Sequence, residues 1–207
     1  MNRAQLRAAV KERLRIPSGG DARLSDSAIH DCIALALNDI GEERHWPWLL
    51  ATAVPAFTAG VAPLPADWAH SADFFVNSRR AKRASSLAQF LDVTADVSGC
   101  LWMEVGANLQ LTPVPTQVLV APVLWYYRSE PALTIENQSP LLPSAYHNTL
   151  IAGAAYHGNM RRKEFDAAAQ DKGEYREGVN KLLKSVPPRS GPRTIRPSGA
   201  SYWATWN

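Results

Sequence analysis

Ile29, Cys32, Ile33, Ala36, Leu37 and Ile40 recur at steps of one, three and four residues within the stretch LSDSAIHDCIALALNDIGEERHW. Side chains so spaced share one helical face, so this segment must bury a one-sided apolar stripe against other elements. Ser25 supplies an N-cap, Asp26 favours the first turn, and Leu24 is placed to staple onto Ile29. Pro47 forbids continuation, and Trp46 and Trp48 flank the turn that follows. Rings at such a helix-to-strand corner ordinarily plug a core. Cys32 lies in the stripe and reads as a small core residue. It shares no paired-motif spacing with Cys100, so no disulfide is expected.

A stripe of this kind needs partners, and the sequence offers three more helices. About residues 2–15, stopped by IPSGGD, form an Arg-rich amphipathic helix that lacks the apolar centre of a signal peptide. A third helix spans about 143–159 and carries Tyr146, Leu150, Ile151 and Ala154. A fourth spans about 161–185, where Phe165, Ala168, Tyr175, Val179 and Leu182 make a stripe broken by Lys172. Between the second helix, about 25–44, and the third lies a β-rich insertion, about 49–127. LLATAVPAF and VAPLP read as short strands around a turn, SSLAQFLDV as a short helix capped by Ser85 or Ser86, and CLWMEV-GAN-LQLTP as a hairpin. TQVLVAPVLWYYR is the strongest strand signal, with Pro122 implying a bulge or an edge. The expected fold is α+β and mainly helical, a helical bundle core with a smaller antiparallel β element. At 207 residues the chain can bury roughly two-thirds of its unfolded surface, so one domain over 1–186 needs no staples.

From Pro187 the pattern stops. Residues 187–207 contain four prolines, two glycines, three serines, three arginines and no acid, which makes an extended C-terminal arm unable to fold alone. Arg189, Arg193 and Arg196 can pair bidentately with carboxylates. Tyr202, Trp203 and Trp206 are residue types enriched in interface hot spots. These six residues are the expected contacts to a partner, with folding back onto the chain's own domain as the alternative.

Catalytic signatures are missing from the sequence. His30, His45, His70, His147 and His157 form no zinc-binding pair on one helical face and read as structural. There is no nucleophile elbow, P-loop or dinucleotide fingerprint, so neither an enzyme nor a metal or other cofactor is expected. Asp39, Glu42 and Glu43 gather at a helix C-terminus, where the macrodipole disfavours negative charge. A solvated face is the ordinary reading, and a salt-bridged contact with another subunit would explain the placement better. The net charge of +3 is too small to imply nucleic acid for the whole chain. Arg79, Arg80, Lys82 and Arg83 are locally dense, on an expected short loop. They are either solvated or face phosphates, and without interleaved aromatic rings they would touch a backbone rather than bases. No apolar run approaches the roughly 20 residues that span a bilayer, so no membrane anchor is expected.

The order HWPWLL, PLPADW, VGANLQLTPVPT, VLWYYRSEPALT and SPLLPSAYHNTLIAGAAYHGNMRR resembles the head-to-tail adaptor (connector) proteins of tailed bacteriophages, especially short-tailed phages. The resemblance covers about residues 2–185, and its best part is the block from Gly106 to Gly158. It implies a structural virion protein at the head-tail junction, assembled in the host cytoplasm. Such adaptors form a ring, typically of twelve copies, under the portal protein. They extend the DNA channel and present a platform for the next tail or nozzle protein. The implied partners are the portal, further copies of the chain, that tail component, and packaged DNA passing without sequence-specific binding. In this frame the arm lies along the portal or an adjacent copy, and Arg79, Arg80, Lys82 and Arg83 lie at a subunit contact or near the channel. A tail-terminator or tail-completion ring protein is the alternative, and a virion-associated cell-wall hydrolase a more distant one.

Overall fold

A computed structural model describes residues 1–17, 20–21, 23–76, 79–91, 101–112 and 122–185. Helix α1, Arg3–Arg13, starts at a capping box in which Asn2 Oδ1 accepts from Gln5 N and Gln5 Oε1 accepts from Asn2 N, both at 2.9 Å. Helix α2, Asp26–Glu42, is capped by Ser25, whose hydroxyl accepts from Ala28 N. The six residues of its apolar stripe are all buried.

Helix α4, His147–Arg162, follows a 3-10 turn at Ser144–Tyr146 and packs against α1, α2 and the last helix, α5, Phe165–Ser185. Because α4 is covered on several sides, its buried positions include Gly153, Ala154, Ala155 and Gly158. A Cβ on Gly153 would stand 2.8 Å from the Tyr175 ring, and one on Gly158 would stand 2.9 Å from Leu14. Gly158 therefore serves close packing, and the helix runs past it to Arg162. Lys163, with φ +63, then ends the helix in the left-handed conformation. The stripe read along α5 is interrupted at its start: Ala168, Val179 and Leu182 are buried, but Phe165 is 62% exposed. Phe165 is the helix's first residue and lies beyond the edge of the bundle core.

The insertion forms two sheets rather than one small element. The first contains β1 (Leu50–Ala53), β8 (Val123–Arg128), β3 (Trp68–Val76) and β4 (Arg79–Arg80), side by side in that order. The second contains β2 (Val61–Pro63), β7 (Asn108–Thr112), β6 (Leu101–Val105) and β5 (Lys82–Arg83). A short helix α3, Leu87–Leu91, follows β5, with Ser86 Oγ accepting from Gln89 N. The pairings are antiparallel except β5 with β6, which is parallel, so the second sheet is mixed. β1 and β2 do not pair with each other but diverge into different sheets. In the β6–β7 hairpin Gly106 has φ +60 at the first central position, as a type II′ turn requires, and Asn108 already belongs to the strand. Pro122 stands just before β8, which is a central strand and not an edge; the segment 113–121 lies outside the described residues.

Two cores result. The first gathers the helices around Leu6, Ile33, Trp46 and Leu150. The second lies between the sheets, where Phe74 of β3 meets Trp102 of β6 edge-on at 6.2 Å between ring centroids. β8 joins them: Leu124 and Tyr126 enter the inter-sheet core, whereas Tyr127 turns into the helical one. Trp46 plugs the corner as its position implies. It is fully buried, stacks on Trp48 at 4.6 Å, and donates its indole N–H to Ile40 O.

Candidate functional site

The basic cluster is not a loop. Arg79 and Arg80 pair with β3 at the edge of the first sheet, and Lys82 and Arg83 pair with β6 at the edge of the second. Ala81, between them, is the crossing point. Its N–H donates to Phe74 O at 2.8 Å, and its carbonyl accepts the Trp102 indole N–H at 3.1 Å. Ala84 N donates to Trp102 O one step later. Five residues thus close the open edge of both sheets with short, charged strands, a form that discourages edge-to-edge pairing.

Their charge is partly answered inside the chain. Arg80 is salt-bridged to Asp73, and Arg83 to Glu104, with the Arg83 guanidinium also 5.3 Å above the Trp102 ring. Arg79 has a partner as well. All four residues are exposed or half-exposed, so a phosphate or a carboxylate could still compete for them. The other predicted contacts, Arg189, Arg193, Arg196, Tyr202, Trp203 and Trp206, lie outside the described residues.

The three acids at the end of α2 line a cleft of about 740 Å³, facing Tyr156, Lys172, Tyr175 and Val179. Asp39 is met within the chain, since its Oδ2 lies 2.9 Å from His157 Nε2. Lys172, the interruption in the α5 stripe, sits 5.3 Å above the Tyr156 ring on the far wall. The Tyr175 hydroxyl is buried and without a hydrogen-bond partner. Burial, and then the nearby Asp39 and Glu43 carboxylates, hold its pKa well above the ordinary tyrosine value.

Beyond Glu42 a second cleft, about 490 Å³, separates the bundle from the first sheet. His45, stacked on Tyr127 at 4.6 Å and tilted against His70 at 5.1 Å, forms its aromatic side. Burial, with a smaller push from His70, lowers the pKa of His45. Arg128 also lines this cleft, and its Nε is buried with no partner. Sequence reasoning did not single out this cleft, because its residues come from three separated segments whose meeting no local pattern announces.

The remaining histidines hold structural positions. His30 accepts from Arg3 Nε and lies 3.2 Å from an Arg7 nitrogen, whereas His147 bridges the N-terminal amine and Leu142 O. Among the described residues no three His, Cys, Asp or Glu side chains converge where a metal ion could sit. No described helix is long and apolar enough to cross a membrane.

Two segments of the quoted motif order meet in space. The Tyr126 hydroxyl donates to Asp67 Oδ1 at 2.9 Å, joining VLWYYR to PLPADW, and Ser129 N donates to Asp67 O at 2.7 Å. Comparison with curated proteins returned no match. The family model for the SU10 adaptor protein matches residues 1–197 of the 207, with Arg189, Arg193 and Arg196 inside the match and Tyr202, Trp203 and Trp206 beyond it. The chain therefore belongs to the SU10 adaptor protein family, a family of structural phage virion proteins.

Proposed function

We infer that this protein is the head-to-tail adaptor of its phage. Copies form a ring, of about twelve as the resemblance implies, beneath the portal. The ring lengthens the DNA channel and presents a platform for the next tail component. Residues 1–186 act as the adaptor domain and 187–207 as the arm that fastens it. The protein is not an enzyme in this reading; it acts by position and surface. Its place is the head-tail junction of the virion, after assembly in the host cytoplasm.

The observation that carries the reading is the family match across residues 1–197. The arm supports it, since Arg189, Arg193 and Arg196 offer bidentate donors and Tyr202, Trp203 and Trp206 offer anchors for the portal or a neighbouring copy. Arg79, Arg80, Lys82 and Arg83 then stand at a subunit contact or near the channel, where DNA slides past without being read. Weak phosphate contacts suit that role, because tight ones would stall ejection. Ring closure repeats one heterologous contact around an axis. Deleting residues 187–207 tests the reading: a folded protein that no longer joins portal rings is expected, and wild-type binding by the deletion variant would contradict it.

A further inference from the structure

The two clefts around the C-terminal end of α2 form a groove whose charge and shape lack an occupant. The Arg44 side chain bridges from just beyond α2 to the end of α5, where its Nη1 donates to Leu183 O at 3.2 Å. Arg44 answers the carbonyl end of α5, but the last turn of α2 has no basic residue, and its C-terminal partial charge adds to the carboxylates of Glu42 and Glu43. That end favours a cation. Lys172 and Arg176 line the opposite wall, so the groove is bipolar and not merely acidic. Glu42 lines both clefts, which makes them neighbours. Each cleft also holds a buried polar atom without a partner, Tyr175 Oη in one and Arg128 Nε in the other. Buried polar atoms are normally satisfied, so the hydrogen bonding around both clefts is incomplete within one copy.

We propose that this groove seats the C-terminal arm of a second copy of the chain, which rests on the reading of the protein as a ring-forming adaptor. The arm brings three arginines with no acid, which can reach Glu42 and Glu43, and three aromatic rings for the His45–Tyr127 side. It begins beside the groove, because α5 ends at Ser185 and Val179 and Leu183 line the first cleft. Val186 precedes Pro187, which precedes Pro188, and residues before proline are pushed to extended backbone. An immediate reversal into the chain's own cleft is thus disfavoured. Twenty-one residues in an extended form reach about 65 Å, against about 40 Å across a domain of this size, so a neighbour's groove is within range. Exchanged arms would make each copy complete its neighbour and give ring closure a direction.

The test uses full-length protein assembled on portal rings. Copies with Trp203 replaced by the photo-crosslinker benzoylphenylalanine, at natural isotope abundance, are mixed with heavy-nitrogen copies lacking it. The proposal expects light arm peptides joined to heavy peptides from residues 38–45, 69–70, 127–130 or 172–183. It also expects at least a fivefold loss of that product in the exposed-site variant E42K/E43K, with recovery when R189E/R193E/R196E is added. Crosslinks confined to light–light pairs, to the portal, or to another face of the neighbour would overturn the exchange of arms and leave the ring intact. Failure to assemble with portal at all would overturn the adaptor reading, and this proposal with it.

Discussion

Arg13 of α1 and Asp171 of α5 form an ion pair at 2.8 Å that ties the first helix of the chain to the last. Asp171 is buried, and its second oxygen accepts from Asn159 Nδ2 on α4, also at 2.8 Å. One carboxylate therefore holds three helices together. Removing it leaves the Arg13 guanidinium with Glu174 as its one remaining acid partner and the buried Asn159 amide unanswered. D171A should lower stability by about 2 kcal/mol, and D171N by less, because the amide keeps an acceptor. Denaturant unfolding measures this; an unchanged midpoint for D171A would show that the pair contributes nothing.

The α4–α5 contact depends on an absent side chain. A Cβ at Gly178 would stand 2.3 Å from Thr149 Oγ1 and 2.7 Å from its Cγ2, whereas a Cβ at Gly173 meets nothing within 4 Å. Alanine gains about 1 kcal/mol of helix propensity at either site. Overpacking costs about 1–3 kcal/mol, which reverses the sign at Gly178 alone. G173A should raise the melting temperature and G178A lower it, with T149A recovering part of the loss. Equal effects at the two sites would contradict this packing account.

Stability should fall on mild acidification. Burial is the largest cause lowering the pKa of His30, His45 and His147; the charges of Arg3 and Arg7, His70 and the N-terminal amine, respectively, add to it. The unfolded chain takes up these protons near pH 6.5, before the native state does. Their contribution is complete above that pH and is lost as pH drops through it. Melting followed from pH 7.5 to 5.5 should show a declining midpoint, shallower in H147Q. A flat profile would mean that these rings titrate alike in both states.

The basic strands can be separated from the fold they border. Their ion pairs are solvent-exposed on at least one side and should each contribute no more than about 1 kcal/mol. R79E/R80E/K82E/R83E should therefore fold, with a modest loss of stability from placing like charges beside Asp73 and Glu104. Assembly or retention of packaged DNA should suffer more than melting does. Normal behaviour in both assays would reduce the cluster to protection of the sheet edges.

Local patterns disclosed the helices because each is specified by neighbours in sequence. The α2 stripe, its Ser25 cap and the Trp46 plug were all legible, as was the hairpin over 101–112. α4 was harder to read because burial on several sides replaces a clean stripe with glycines and alanines. Asp171 was not singled out, since a charge on a buried face looks like an interruption until Arg13 is seen across from it. The split of β1 and β2 between sheets is set by distant partners, Leu50 with Tyr127 and Val61 with Gln110, which turn signals cannot convey. Two-residue strands such as β4 and β5 have no period to detect, so Arg79–Arg83 reads as a loop. The acids at the end of α2 were legible as misplaced; the groove they share with Tyr175 and Arg128 was not.

The proposed role depends on this chain becoming a ring on the portal. Light scattering of the purified protein, alone and mixed with portal rings, measures it most directly. Largely monomeric protein alone, and a mixed complex heavier than the portal by a whole ring of copies, is the predicted result. A portal mass unchanged after mixing would contradict the account.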